Sequence, residues 1–198
     1  GMTAAALVAG NSVIVKPAEQ SPVMGAHLLD ILRQAGLPPP SCQLLQGGGD
    51  LGAYLVRHPA IHLIAFTGSR EVGLEILREA YTHQPGQTHV KRVVCEMGGK
   101  NAIIVDDDAD LDEAVVHIID SAFGYQGQKC SAASRLILVE DAHDRLLERL
   151  VEAVKSLKIG PPNDPRNFIG PVIDAVAHAK ITGYIDLGKR EGTCVVEM

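Results

Sequence analysis

The sequence has no tryptophan and only three Phe and four Tyr among its 198 residues. So few aromatic rings leave no stacking platform for bases, and 18 Lys and Arg against 24 Asp and Glu, a net charge of −6, form no basic stripe to neutralise phosphates. Nucleic acid is therefore not an expected partner. No apolar run approaches the ~20 residues that cross a bilayer, so no membrane span is expected, and the opening Gly1-Met2-Thr3-Ala4 lacks the charged start of a secretory signal. Cysteines are few and scattered: Cys42, Cys95, Cys130 and Cys194, with no Cys-x-x-Cys and no His pair at zinc-finger spacing. That spacing argues against a disulfide framework or structural zinc and fits a reducing compartment. The expected location is the cytoplasm, or the mitochondrial matrix in a eukaryote.

Two further patterns resemble metal sites and fail on inspection. His58 and His62 are four residues apart, but Pro59 lies between them and the Glu of a His-Glu-x-x-His motif is missing, so they read as loop histidines. The acidic run Asp106 to Glu113 lacks the central Gly and terminal Glu of a calcium loop. Asp110 and Glu113 instead have capping-box spacing ahead of an apolar-periodic segment, which marks a helix start. No metal is expected.

The residues that are present suffice for a real core: 46% are hydrophobic, and the length allows one or two domains. Short β-branched runs alternate with helical periodicity. The segment Ser12 to Val15 is a strand, followed by a helix that Ser21 caps and Pro22 opens, with Gly36 and Pro38 closing it. Gln43 to Gln46 and His62 to Phe66 are strands, with helices from Asp50 and over 71–80. Val90 to Glu96 and Asn101 to Asp106 are two further strands. A helix over 111–123, a strand over 135–140, a helix over 142–157, a turn-rich connector at Gly160 to Pro165 and a helix over 174–190 complete the pattern. The terminal Val195 to Met198 looks like the opening of a strand without a partner, as expected for a portion of a longer chain. Strands alternating with helices predict parallel βαβ units. The boundary between two lobes is expected at Gly98-Gly99, giving domains over 1–97 and 98–198.

Chemistry concentrates in two places. Cys130 lies among small and polar residues (Gly127, Gln128, Ser131, Ser134) beside Lys129, the accessible, electropositive setting that keeps a thiol reactive. A buried, inert thiol is the alternative. Glu96, 34 residues earlier, is a carboxylate able to take a proton from water and so hydrolyse a thioester formed on Cys130. The stretch Phe66-Thr-Gly-Ser-Arg-Glu-Val-Gly73 joins a strand to a helix, where backbone N–H groups and the helix dipole can receive a pyrophosphate; a plain helix-entry turn has the same pattern. No Lys-Ser/Thr follows the second Gly, so a P-loop is excluded. Lys16 and Glu19 can hydrogen-bond a ribose diol, and they equally suit a solvated loop.

Taken together and in order, Asn11 to Glu19, Phe66 to Gly73, Glu96-Met-Gly-Gly-Lys100 and Gly127-Gln-Lys-Cys130 resemble the aldehyde dehydrogenase superfamily. The resemblance runs from about residue 2 to the end and includes Gly170-Pro-Val-Ile173. Cys95 to Asn101 and Ala122 to Ser131 most resemble its 1-pyrroline-5-carboxylate (glutamate semialdehyde) dehydrogenase branch. The resemblance implies an α/β fold: a Rossmann-like parallel sheet carrying the NAD-binding domain, plus part of a second α/β domain that carries the nucleophile. It also implies that Cys130 attacks an aldehyde, that the resulting thiohemiacetal gives a hydride to NAD, and that Glu96 activates water to release the acid. Lys16 and Glu19 match the adenosine ribose positions, and Gly68, Ser69 and Val72 match the segment beside the pyrophosphate. Met97 and Gly98 match the stretch near the nicotinamide, and Ser131 a contact to the substrate carboxylate. A carboxylate at Glu19 would repel a 2′-phosphate and favours NAD over NADP.

The family's upstream oxyanion Asn and its downstream ribose-binding Glu are not among these residues. Each oxyanion donor is worth roughly 10²–10³ in rate, so the isolated chain is expected to be a weak catalyst. A homo-oligomeric, small-molecule-metabolising parent of proline catabolism is implied. Two alternatives stay open: a dehydrogenase for another aldehyde, and a catalytically silent nucleotide-binding module.

Overall fold

A computed structural model describes residues 1–198. The chain forms two compact units, Gly1–Met97 and Gly98–Met198.

The first unit holds helix α1 (Met2–Val8), strand β1 (Val13–Val15), helix α2 (Pro22–Gln34), strand β2 (Cys42–Leu44), helix α3 (Gly49–Arg57), strand β3 (Leu63–Thr67), helix α4 (Arg70–Ala80) and strand β4 (Arg92–Glu96). Strands pair in parallel as β1 with β2 and β3 with β4, each joined through a crossover helix. This is the arrangement that alternating strand and helix patterns require. The structure resolves them as separate two-stranded pairs. Pro22 stands at the first turn of α2, where its missing N–H costs nothing, although the Ser21 side chain makes no capping bond. Val56 of α3 and Ile76 and Ala80 of α4 are buried against Ile64, Phe66, Val93 and Cys95, one face of the β3/β4 pair. Leu63 and Val94 point to the other face and remain about half exposed.

Buried Lys91 joins α3 to the start of β4. Its side chain is 1% exposed, and its Nζ donates to the carbonyls of Val56 and His58 at the end of α3. Terminal helix carbonyls have no intrahelical donor, and a cation there also meets the negative end of the helix dipole. Burial pushes the Lys91 ammonium below its ordinary value. His58 and His62 take loop roles: His58 Nδ1 accepts from the Ala60 N–H, and His62 stacks on His89 with centroids 3.9 Å apart.

The second unit holds strand β5 (Asn101–Val105), helix α5 (Leu111–Phe123), strand β6 (Ala133–Leu138), helix α6 (Ala142–Lys155) and helix α7 (Ala175–Glu191). Strands β5 and β6 are parallel, with a register irregularity at Asn101/Ala102. Val105, Leu111, Ile118, Ala142 and Leu146 form the core between this pair and helices α5 and α6. Asp110 caps α5, its Oδ1 accepting from the N–H groups of Asp112 and Glu113. Asp174 caps α7 through Ala177 N–H.

Two expectations need correction, and one helix lies where no element was expected. Helix α1 was not anticipated, because Met2 to Val8 is a short apolar run whose period does not separate helix from strand. Strand β6 stops at Leu138, and Glu140, expected inside it, has φ +48°. Val195 to Met198 form no strand; without a neighbouring strand their backbone groups have no ladder to join. That tail is tied back instead by an ion pair from Lys189 to Glu197.

Candidate active site

In the first unit, the candidate residues gather where parallel strands end and helices begin. Lys16 directly follows β1, and its Nζ donates to the carbonyls of Pro17 and Gly47, both at 2.9 Å. Glu19 lies 3.8 Å from the same ammonium and is largely exposed. The long Lys16 stem is thus held by backbone, leaving the carboxylate of Glu19 as the freer group.

Strand β3 ends at Thr67, and the chain turns through Gly68 into α4. Ser69 is the helix cap: its Oγ accepts from Val72 N–H at 3.2 Å. Gly68 N–H donates to the Glu96 carbonyl at 3.0 Å, which ties this turn to the end of β4. The register sets Thr67 opposite Glu96, so the β3 turn and the Glu96 side chain belong to one sheet end. At two glycines a Cβ would force a neighbouring side chain to shift. A Cβ on Gly68 would collide with the Phe66 ring, and one on Gly73 would stand 2.7 Å from Met97 Sδ. Gly73 thus allows α4 to lie against the end of β4, the role of a glycine in close helix–strand packing. The structure therefore brings together Gly68, Ser69, Val72, Glu96 and Met97, whereas Lys16 and Glu19 belong to the separate β1/β2 pair.

Parallel strand ends followed by a helix N-terminus, with glycines where a side chain would obstruct, fit a dinucleotide. Lys16 and Glu19 present hydrogen-bonding groups after β1, and the start of α4 presents backbone N–H groups.

In the second unit, Gly98 opens the chain with no neighbour within 4 Å of where its Cβ would stand. Cys130 and Ser131 lie in an exposed turn between α5 and β6. The turn is reached through an unusual backbone: Tyr125, Gln126 and Gly127 have φ of +56°, +58° and +66°. Left-handed conformations disfavour residues with a Cβ, and two adjacent non-glycine examples must be held by their surroundings. Gln128 Oε1 accepts from Ile173 N–H at 3.1 Å. The Gln126 amide, oriented to satisfy its neighbours, accepts from Gly170 N–H at 2.8 Å. Both ties reach the Gly170 to Ile173 segment. Ser121 Oγ accepts from Ala133 N–H at 3.2 Å, fixing the start of β6 against α5. Asn101 Nδ2 donates to the carbonyls of Cys130 at 2.8 Å and Ala132 at 3.1 Å.

The four thiols differ sharply. Cys42 is 1% exposed, and burial pushes the Cys95 thiol up, away from the reactive thiolate. Cys130 and Cys194 are exposed. Cys194 sits in the terminal tail with its Sγ 3.6 Å from the Val196 carbonyl. An exposed thiol on a loop tied at several points is suited to nucleophilic addition, because the loop keeps its position while a reactant approaches.

Sequence reasoning did not select Asn101, Gln126, Gln128 or Lys91. Gln126 and Gln128 lie close to Cys130 in the chain, and their amide side chains were a usable signal: amides near a cysteine are groups that can hold a loop's backbone. Nothing local marks Lys91, because its burial depends on the end of α3, 33 residues away at His58.

The model of the aldehyde dehydrogenase family matches residues 1–197. The 1-pyrroline-5-carboxylate dehydrogenase of Geobacillus thermodenitrificans is 51% identical over 193 residues, which are 97% of this chain and 38% of that protein. Proline utilization A of Bdellovibrio bacteriovorus superposes with a TM-score of 0.92 at 51% identity, over 96% of this chain and 20% of that one. The Thermus 1-pyrroline-5-carboxylate dehydrogenase with bound NAD superposes with a TM-score of 0.87 at 49% identity, over 91% of this chain and 35% of that one. The chain thus spans well under half the length of the relatives it matches. With the match running along 197 residues and half of the positions identical, the chain belongs to the aldehyde dehydrogenase family.

Proposed function

We propose that the gene product carrying this chain oxidises an aldehyde to its carboxylic acid with NAD, and that the aldehyde is glutamate semialdehyde, the open form of 1-pyrroline-5-carboxylate. The observation that carries the reading is the exposed Cys130, held on a loop tied by Asn101, Gln126 and Gln128. Relatives and structural neighbours named as 1-pyrroline-5-carboxylate dehydrogenases support the substrate. The residues over 1–97 act as the NAD-binding portion and those over 98–198 as the portion carrying the nucleophile.

In this reading the Cys130 thiolate forms a C–S bond to the aldehyde carbon, whose C=O pair moves to oxygen. When bound, NAD supplies the acceptor for the hydride that this carbon gives up. A thioester on Cys130 results. Glu96 then takes a proton from water as the water oxygen adds to the thioester carbon, the C–S bond breaks, and the acid and the Cys130 thiolate are released. Ser131, next to the nucleophile, offers a hydroxyl to the substrate carboxylate. Lys16 and Glu19 hold the adenosine ribose, and the exposed Glu19 carboxylate disfavours a 2′-phosphate. Gly68, Ser69 and Val72 form the segment beside the pyrophosphate at the start of α4, and Met97 and Gly98 lie by the nicotinamide. No helix is long and apolar enough to cross a membrane. The reading carries with it a homo-oligomer working in the cytoplasm or, in a eukaryote, the mitochondrial matrix.

The test is NADH formation by the gene product with glutamate semialdehyde and, in parallel, succinate semialdehyde, each repeated with Cys130→Ala. Preferential turnover of glutamate semialdehyde that is lost in Cys130→Ala is expected. Preference for succinate semialdehyde would overturn the substrate, and turnover independent of Cys130 would overturn the mechanism. In Glu96→Gln, a single burst of NADH without steady turnover is expected, because the thioester forms and is not hydrolysed.

A further inference from the structure

We propose that Asn101 is a positioning residue for Cys130 and Ser131, acting as a two-pronged backbone clamp. The inference rests on the assignment of Cys130 as nucleophile and deepens it.

A side-chain amide nitrogen has two hydrogens, and Asn101 spends both on one turn: Nδ2 donates to the Cys130 carbonyl at 2.8 Å and to the Ala132 carbonyl at 3.1 Å. These carbonyls flank Ser131 on either side. One side chain therefore fixes the peptide that follows Cys130 and the peptide that follows Ala132, on either side of the candidate substrate contact Ser131. The Asn101 backbone is itself held at this place. The β5/β6 register shifts between Asn101 and Ala102, which pair with Ala133 and Arg135, so Ser134 is the additional residue. Such a bulge is uncommon in parallel pairs and re-aims a side chain. Ser134 Oγ donates to the Asn101 carbonyl at 3.4 Å. Gly99 completes the packing: a Cβ there would stand 3.3 Å from Asn101 Oδ1 and 3.5 Å from the Cys130 carbonyl oxygen. The amide is required over its nearest isostere. An aspartate would set carboxylate lone pairs against two carbonyl oxygens.

The gene product carrying this chain is compared with Asn101→Ala, Asn101→Asp and Asn101→Ser by amide hydrogen exchange and by kcat and KM for glutamate semialdehyde. In Asn101→Ala, exchange over residues 128–135 is expected to rise by about tenfold while α5 and α6 keep their protection. The kcat is expected to fall roughly 10²-fold, the cost of a misplaced reacting group, with KM changed less than about threefold. Asn101→Asp is expected to lose as much as Asn101→Ala, with partial recovery at acid pH where a protonated carboxyl donates again. Asn101→Ser, which keeps one donor, falls between. Unchanged exchange over 128–135, an Asn101→Asp protein equal to wild type, a loss confined to KM, or general loss of protection in α5 and α6 would each overturn the clamp. The two readings separate cleanly. Turnover that survives Cys130→Ala overturns the catalytic assignment and with it the clamp's purpose, whereas Cys130-dependent turnover with unchanged exchange overturns the clamp alone.

Discussion

The two units place their candidate residues by different physical means. In Gly1–Met97 the residues stand where backbone geometry alone puts them, after β1, after β3 and at the first turn of α4. In Gly98–Met198 the exposed Cys130 stands on a loop with three consecutive positive φ values, and side-chain amides hold it. A binding surface made of helix N-terminal N–H groups tolerates many sequences, because the donors belong to the main chain. A loop that carries chemistry in a strained conformation depends on each tie that over-determines it. Disturbance of single side chains should therefore cost the second unit more than the first.

The sharpest test of that contrast lies in the cores. Leu146 is wholly buried in the second unit's core of five buried residues, whereas Ile76 in the first unit belongs to a core of three, with Val56 and Ala80, packed against partly buried Ile64, Phe66, Val93 and Cys95. Leu146→Ala is expected to destabilise by about 3–5 kcal/mol and Ile76→Ala by roughly 2–4 kcal/mol, read by denaturant unfolding. Equal or reversed costs would break the comparison.

Next comes Lys91, the one place where the first unit relies on a single buried side chain. Lys91→Met keeps the bulk but removes the Lys91 donor from the Val56 carbonyl and leaves the His58 carbonyl with the Ile61 N–H alone, for an expected loss of about 1–3 kcal/mol. Its pH dependence has a defined sign. Burial lowers the folded-state value below the unfolded 10.5, so the unfolded chain binds more protons in the window beneath 10.5. The stability of wild type relative to Lys91→Met should then rise as pH climbs through that window, and a fall would contradict it.

A smaller effect compares two glycines. Gly127 has φ +66° and a Cβ there would stand 3.1 Å from the Ala122 carbonyl oxygen, whereas a Cβ on Gly98 meets nothing within 4 Å. Gly127→Ala should cost about 1–2 kcal/mol and Gly98→Ala near zero, measured by thermal unfolding. Smallest of all, Ser69→Ala and Asp110→Ala each remove a helix cap at about 0.5–2 kcal/mol, with Asp110 the larger because its carboxylate accepts two N–H groups. A larger loss at Ser69 would show the first unit to depend on side chains after all.

Legibility followed the same division. Strands and helices with clear periodicity emerged from the sequence together with their parallel order. Asp110 caps its helix as the spacing predicts, though its Glu113 partner gives only a backbone N–H. Ser21 marks a helix start, and Pro22 opens it, but the Ser21 side chain makes no capping bond. The end of β6 was misplaced because Val139 and Glu140 continue an apolar pattern that the turn into α6 interrupts. Cys130 and Glu96 stand out by residue type and setting. Asn101 does not, since its importance lies in two carbonyls 29 and 31 residues away.

By itself, then, the sequence determined the alternation of strands and helices, the helix starts and the chemistry of the Cys130 loop, because these depend on local spacing and on side chains adjacent in the chain. The tertiary structure alone decided which carbonyls Asn101 and Lys91 satisfy, which three residues take left-handed φ before Cys130, and which thiols are hidden. Those outcomes are set by hydrogen-bond satisfaction and burial between segments tens of residues apart, which no local pattern records.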